Sequence, residues 1–190
     1  MLAPPGAAAT LPRKMIVAKL KTAGELAVIR SQMDARGQKL VLTNGCFDLL
    51  HAGHVRYLQA ARALGEALVV ALNGDDSIRI LKGPKRPINE ERDRAEVLAG
   101  LACVDFVTIF QDPRVTEVIA KVKPHFYAKG GDYSVESLDP DERKALETAG
   151  AQIKILPLVP GKSTSGLLDR MGAAPEPRKK GSETEKKGGS

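Results

Sequence analysis

The 190-residue chain has no tryptophan, only 4% aromatic residues and just two cysteines. Proteins that bind single-stranded nucleic acid stack bases on aromatic side chains, so this composition argues against that class. Cys46 and Cys103 are too few for a disulfide scaffold, and no Cys/His group has the spacing of a zinc site. No apolar run approaches a membrane span, and no basic leader precedes an apolar segment. We therefore expect free thiols in a cytoplasmic protein that binds neither membrane nor nucleic acid.

The net charge of +6 does not indicate a nucleic-acid groove, because most of it lies near the ends. Residues 172–190 contain five basic and three acidic residues, and Arg13 and Lys14 add two positive charges. A net charge of only +2 is left for residues 15–171. We predict a disordered extension at residues 1–14, a globular domain at 15–171, and a disordered tail at 172–190 that is rich in Lys, Gly and Glu.

Apolar segments alternate with helical patterns through the domain. Strands are predicted at residues 39–43, 68–72, 105–110, 126–128 and 153–156. Helices are predicted from the capping box at Thr22, from Leu50 or His51, from Asn89 to Gly100, from Asp112 to Val122 and from Asp139 to Gly150. This alternation predicts a Rossmann-like, doubly wound parallel sheet in a three-layer α/β/α sandwich. Ligands of such folds bind beyond the carboxyl ends of the strands.

Two histidines, His51 and His54, follow the first predicted strand where a helix begins. Being three residues apart, they share one face of the first helical turn, and Gly53 leaves room for a ligand. A helix N-terminus offers unpaired N–H groups and a positive dipole end to an anion. A lone histidine here would more often cap the helix or pack in the core. The pair with its glycine favours a phosphate site.

The residues around this pair resemble a known family. Thr43-Asn-Gly-Cys-Phe-Asp48 and Val55-Arg-Tyr-Leu58 are similar to the cytidylyltransferase-like branch of the His-x-Gly-His nucleotidyltransferase superfamily. Within that branch, Lys82-Gly-Pro-Lys-Arg-Pro87 and Lys129-Gly-Gly-Asp-Tyr133 resemble segments of the domains that make ADP-heptose. The likeness extends from about residue 39 to residue 171.

The resemblance implies roles for individual residues. His51, His54 and Lys82 would be catalytic and would stabilise charge on the reacting triphosphate. Nucleotide binding would involve Thr43, Asn44, Gly45, Cys46, Phe47, His51, Gly53, His54, Lys129, Gly130, Asp132, Ser163 and Thr164. Acceptor binding would involve Asp48, Asp75, Asp76, Lys82, Arg86 and Arg92. No residue is predicted to hold a metal, and Mg²⁺ is expected to arrive with ATP.

Ordinary structural roles stay open for several of these residues. Asp48 is as well explained by hydrogen bonds to turn amides as by acceptor binding or help with Mg²⁺. Arg92 could be a surface helix residue. The sequence does not decide which of Asp75 and Asp76 faces the acceptor.

The resemblance implies an adenylyltransferase that transfers AMP from MgATP to D-glycero-β-D-manno-heptose 1-phosphate. Direct in-line attack would give ADP-heptose and pyrophosphate, and the partners would be ATP, the sugar phosphate and a second subunit of a homodimer. The alternative within the class is a CTP-dependent cytidylyltransferase for glycerol 3-phosphate or a similar small phosphate ester. A non-catalytic nucleotide sensor is the alternative from another class, although the presence of His51, His54, Lys82 and Lys129 argues against it.

Overall fold

The computed structural model describes residues 17–131 and 137–157, together with Thr164 and Gly172. Strands and helices alternate along this part of the chain. The helices are α1 (Ala23–Asp34), α2 (Ala52–Arg62), α3 (Asp75–Lys82), α4 (Glu91–Ala99), α5 (Thr116–Val122) and α6 (Pro140–Ala149). The strands are β1 (Leu40–Gly45), β2 (Ala67–Asn73), β3 (Phe106–Phe110), β4 (Phe126–Gly130) and β5 (Gln152–Leu156).

The strands form one parallel sheet in the order β3-β2-β1-β4-β5. The chain moves from β1 through β2 to β3 and then returns to the other side of β1 for β4 and β5. The strand order therefore reverses between β1 and β4, where Leu42 is paired with Tyr127. Open parallel sheets bind ligands beyond the carboxyl ends of the strands at such a reversal. In this chain that place lies beyond Gly45 and Gly130.

Helices cover both faces of the sheet, and each face has its own apolar core. Helices α1, α5 and α6 pack on one face through Leu26, Ile119 and Leu146. Helices α2 and α4 pack on the other face, where Leu58 and Leu98 are fully buried. Every residue of β2 is buried, as expected for a parallel strand covered on both sides. The predicted Rossmann-like sandwich is confirmed.

Two helix starts are confirmed together with their caps. The Thr22 hydroxyl accepts a hydrogen bond from the Glu25 N–H, and the Glu25 carboxylate accepts one from the Thr22 N–H at 2.8 Å. Asp139 caps α6, which begins with Pro140 and ends before Gly150, a residue in the left-handed conformation. These caps satisfy N–H groups that have no partner inside the helix.

Several boundaries differ from the prediction. Helix α3 is not predicted, and Lys82 is its last residue. Helix α4 begins after Glu90, while the side-chain amide of Asn89, its predicted cap, donates to the Asp48 carbonyl instead. Helix α5 begins at Thr116 rather than at residue 112. Strands β1 and β4 each continue two residues further than predicted, so residues 44 and 129 belong to strands.

The predicted disordered ends, residues 1–14 and nearly all of 172–190, lie outside the described residues. Asp132 and Ser163 also lie outside them. The domain boundaries therefore stay predictions. Within the described part of the chain, no helix has both the length and the apolar character needed to cross a membrane.

Candidate functional site

The turn after β1 is built around Phe47, whose backbone is left-handed with φ 42°. This conformation is unfavourable for a bulky residue and is found where packing holds it, often at functional sites. The buried Phe47 ring packs against Gly45 so closely that a Cβ there would lie 2.9 Å from it. The resemblance implies that Gly45 takes part in nucleotide binding, and in the structure its missing side chain makes room for Phe47. The ring edge also contacts His54, with centroids 5.4 Å apart.

His51 caps the N-terminus of α2, and His54 lies in the first turn of this helix. The Nδ1 atom of His51 accepts a hydrogen bond from the main-chain N–H of His54 at 3.3 Å. This bond requires an unprotonated Nδ1, so Nε2 is the ring nitrogen of His51 that can donate to a ligand. The two rings stack with centroids 3.9 Å apart. The pair is therefore held at a helix N-terminus, which favours an anionic ligand.

His54 is neutral at physiological pH. Burial, followed by the charges of His51 and Lys82, lowers its pKa to about 4. His51 and His54 are therefore in direct contact, and the positive charge of the exposed Lys82 also acts on His54. Their catalytic roles stay predictions. The His54 Nδ1 atom is buried and has no hydrogen-bond partner in the described part of the chain.

Asp48 anchors the segment between α3 and α4, and only 2% of it is exposed. Its Oδ1 accepts hydrogen bonds from the main-chain N–H groups of Ile88 at 2.8 Å and Asn89 at 3.1 Å. Its Oδ2 lies 2.6 Å from Nε of Arg86. Both carboxylate oxygens are thus engaged by the protein. Asp48 therefore accepts hydrogen bonds from main-chain amides. These amides belong to residues 88 and 89 and not to the turn that contains Asp48.

Arg94, rather than the predicted Arg92, is the arginine of α4 that reaches the strand ends. Arg92 is exposed, whereas Arg94 is 2% exposed. The Arg94 guanidinium donates at 2.7–2.8 Å to three carbonyl oxygens, those of Cys46, Asn73 and Asn89. One side chain therefore joins the ends of β1 and β2 to the segment before α4.

Asp75 faces this arginine, and Asp76 faces outward. Asp75 Oδ1 lies 2.7 Å from Nη2 of Arg94, and the Asp75 N–H donates to Glu91 Oε2 at 3.0 Å. Asp76 is exposed and pairs with Arg79 of the same helix. Asp75 is therefore the aspartate that points towards Arg94 and the strand ends. Acceptor binding by either residue stays a prediction.

A buried polar cluster formed by Asn44, Tyr127, Lys129 and Glu142 lies where β1 and β4 end. Lys129 Nζ is 2.9 Å from Asn44 Oδ1, 3.1 Å from Tyr127 Oη and 2.8 Å from Glu142 Oε1. The Tyr127 hydroxyl is 2.7 Å from the same Asn44 oxygen and 2.5 Å from the same Glu142 oxygen. Lys129 is 9% exposed, and Glu142 balances its charge. The roles of Tyr127 and Glu142 were not predicted.

Thr43 does not line the crevice with its side chain, contrary to its predicted role in nucleotide binding. It is fully buried, and its hydroxyl lies 2.8 Å from the Tyr57 hydroxyl. Burial raises the pKa of Tyr57 to about 12, so this phenol is neutral and pairs as a hydroxyl. The contact joins β1 to α2 and thus fixes the helix that carries the histidines.

The remaining predicted residues are placed as follows. Cys46 has a half-buried free thiol, Gly53 is buried in the first turn of α2, Gly130 ends β4, and Thr164 is half-buried. Residues 17–131, 137–157, 164 and 172 contain no group of three or more His, Cys, Asp or Glu side chains that could hold a metal ion.

The family model described as cytidylyltransferase-like matches residues 42–167, about two thirds of the chain. The match includes most of β1, the histidine pair and the whole of β4. The chain belongs to the cytidylyltransferase-like family. This membership indicates a nucleotidyltransferase enzyme.

Several curated relatives carry one name, bifunctional protein HldE. The chain is 49% identical over 153 residues to the HldE protein of Pelobacter propionicus. This match covers 80% of the chain and 31% of the relative. The chain is 42% identical over 165 residues to that of Trichlorobacter lovleyi, with coverages of 87% and 33%. The chain therefore spans about a third of the length of these curated relatives.

Two solved structures have similar folds. The lipopolysaccharide core biosynthesis protein of Thermoplasma volcanium is 29% identical, with a TM-score of 0.54, and the match covers 65% of this chain and 98% of that one. Pantoate-β-alanine ligase of Francisella tularensis, complexed with β-γ ATP and β-alanine, is 14% identical with a TM-score of 0.50, covering 77% and 68%. At that identity, the second likeness supports the fold alone.

Proposed function

We propose that this family member transfers AMP from MgATP to D-glycero-β-D-manno-heptose 1-phosphate and releases ADP-heptose and pyrophosphate. The main observation in support is the stacked His51–His54 pair at the start of α2, where the positive charge of Lys82 also acts on His54. The sugar acceptor is supported by the sequence resemblance to ADP-heptose-forming domains. It is also supported by the identity to proteins named HldE and by the fold shared with a lipopolysaccharide core biosynthesis protein.

The reaction needs no covalent intermediate with the enzyme. A phosphate oxygen of the acceptor attacks the α-phosphorus of ATP and forms the new P–O bond. The bond from that phosphorus to the oxygen that bridges to the β-phosphate breaks, and pyrophosphate leaves with the electron pair. Negative charge grows on the phosphoryl oxygens, so catalysis depends on positioning and on donors aimed at those oxygens.

The histidines and Lys82 would supply these donors. His51 can donate from Nε2, and neutral His54 offers one imidazole N–H. Donors of this kind bind phosphate oxygens without having to release a proton during the reaction. Lys82, at the end of α3, would add a full positive charge near the same phosphates.

Mg²⁺ would act as part of the ATP substrate. The carboxylates of Asp48 and Asp75 are already paired with Arg86 and Arg94, and the described residues contain no three-residue group of metal-binding side chains. The ion would therefore be held mainly by triphosphate oxygens and water, which suits its preference for retained water ligands.

The acceptor would enter beside Lys82 and Asp75, where the segment anchored by Asp48 borders the strand ends. The proposal also includes a cytoplasmic homodimer. Light scattering during size-exclusion chromatography would then give twice the chain mass of 20.3 kDa.

A matrix of substrates tests the proposal. Purified protein with Mg²⁺ is given ATP or CTP, and heptose 1-phosphate or glycerol 3-phosphate, and pyrophosphate release is followed. We expect release with ATP and heptose 1-phosphate only. Turnover of CTP with glycerol 3-phosphate would replace this proposal with the cytidylyltransferase alternative, and binding of nucleotide without any release would indicate a sensor.

A further inference from the structure

The buried cluster of Asn44, Tyr127, Lys129 and Glu142 orients one amide group. Asn44 Oδ1 lies 2.9 Å from Lys129 Nζ and 2.7 Å from Tyr127 Oη. An ammonium group can only donate, so the atom that faces Lys129 must be the amide oxygen and not the amide nitrogen. Because the Lys129 ammonium holds its oxygen, the Asn44 amide has a defined orientation, and its Nδ2 group lies on the side of the amide away from Lys129.

The position of Asn44 makes this orientation relevant to a ligand. Asn44 is half-buried near the end of β1, beside β4, where the strand order reverses. The two charged members of the cluster are buried behind it. No described residue accepts a hydrogen bond from the Asn44 Nδ2 group. A half-buried amide with fixed, uncommitted N–H donors at a ligand crevice is suited to bind an acceptor atom of that ligand.

Lys129 is placed differently from Asn44. Three acceptors from the described residues surround its ammonium, which matches its three N–H donors. Direct contact with a nucleotide would require at least one of these buried bonds to be given up. Asn44 therefore faces the crevice, whereas Lys129 and Glu142 lie in the buried cluster that holds Asn44 in place.

We propose that Asn44 donates from Nδ2 to the bound nucleoside triphosphate, and that Lys129 and Glu142 are positioning residues that fix the Asn44 amide. This inference rests on the proposed function. It replaces the direct contact between Lys129 and the nucleotide that the sequence resemblance implies. It also gives a role to Glu142, which lies 98 positions away from Asn44 in the chain.

Asn44→Asp separates a ligand role from a structural one. The new carboxylate still accepts from Lys129, so the fold should be retained, although a second carboxylate beside Glu142 should lower the melting temperature by a few degrees. An oxygen then replaces the N–H donors, and negative charge faces an anionic ligand. We expect KM for ATP to rise by at least about tenfold, with a smaller change in kcat.

A double-mutant cycle tests the positioning roles. In the wild-type background, Lys129→Met and Glu142→Gln should each raise KM for ATP by roughly three- to tenfold. In an Asn44→Ala background, neither change should raise KM further, because the amide that they position is gone. Glu147→Gln is the matched control, since Glu147 lies on the same helix and is exposed. Its KM should equal that of the wild type.

Two outcomes would overturn the inference. One is an Asn44→Asp protein with the KM of the wild type. The other is a Lys129→Met effect that is equally large without Asn44, which would show that Lys129 itself binds the nucleotide.

Calorimetry with ATP distinguishes failure of this inference from failure of the proposed function. A wild-type protein that binds ATP without transferring AMP contradicts the proposed function, but Asn44→Asp is then still tested by its dissociation constant. A wild-type protein that does not bind ATP contradicts both.

Discussion

At the scale of single residues, His54 is kept neutral by burial and by the charges of His51 and Lys82. We predict that His54→Ala lowers kcat by about 100-fold, because loss of one donor to a transition-state oxyanion costs about 2.7–4 kcal/mol. The melting temperature should change by only a few degrees, since no described residue bonds the His54 side chain at Nδ1. Steady-state kinetics and thermal unfolding measure the two effects.

Gln59→Ala is the control for this change, because Gln59 is exposed on the same helix. Its turnover should match that of the wild type. Turnover of His54→Ala within about twofold of the wild type would remove the histidine from the mechanism.

Asp48 provides a second prediction at this scale. Asp48→Asn weakens the pair with Arg86 and leaves a guanidinium with an uncharged partner, so the free energy of unfolding should fall by roughly 1–3 kcal/mol. Urea unfolding measures this loss. If the protein keeps its stability and only KM for the acceptor rises, Asp48 contacts the acceptor and is not the anchor described above.

At the scale of elements, Arg94 connects α4 to the ends of β1 and β2. Arg94→Lys removes the planar fork that reaches several acceptors at once, so we expect a loss of roughly 2–4 kcal/mol of unfolding free energy. Hydrogen exchange should also accelerate in α3, because Asp75 loses its partner. Arg92→Lys is the matched control and should leave both quantities unchanged. Equal effects of the two changes would contradict the assignment to Arg94.

The sequence could not separate these two arginines. The buried positions of α4, Ala95, Leu98 and Ala99, place both arginines near the edges of the buried stripe. Arg94 points inward because three carbonyl oxygens and one carboxylate, all from outside α4, accept its hydrogen bonds. Helical periodicity contains no information about those acceptors.

Helix α3 was missed for a related reason. Only Ser77 and Ile78 of this short helix are buried, while Ile80 and Leu81 are exposed. Its apolar residues fall within a single turn of an eight-residue helix, so the helical period does not repeat. The acidic first turn, the basic last turn and Gly83 after it were the available signals. By contrast, the starts of α1 and α6 could be predicted, because Thr22 and Asp139 form local caps that depend only on neighbouring residues.

At the scale of the whole molecule, the alternation of strands and helices was enough to predict the parallel sheet and its helices on both faces. The buried cluster behind the crevice was not predictable. Its members come from β1, β4 and α6, and Tyr127 and Glu142 look like an ordinary strand residue and an ordinary helix carboxylate. Such clusters depend on tertiary packing. Sequence patterns predict the strands and helices, but not which side chains meet between them.

Stability should depend on pH through two histidines. Burial is the largest cause of a lowered pKa for both His54 and His125. The pKa of His54 falls to about 4. The unfolded chain therefore binds protons first as the pH falls. The stabilisation from the neutral histidines is complete above about pH 6.5 and is lost as the pH falls from there towards about 4. Urea unfolding at pH 7.5, 6 and 5 should show this decline, and His54→Ala should reduce its slope. An unchanged slope in that variant would contradict the lowered pKa.

The identity of the product formed in competition tests the central claim most directly. Protein with Mg²⁺ is given ATP, CTP, heptose 1-phosphate and glycerol 3-phosphate together, and the nucleotide products are identified by mass spectrometry. Our account predicts ADP-heptose as the single new nucleotide product, and its loss in His54→Ala. CDP-glycerol from the wild-type protein, or no nucleotide product at all, would contradict it.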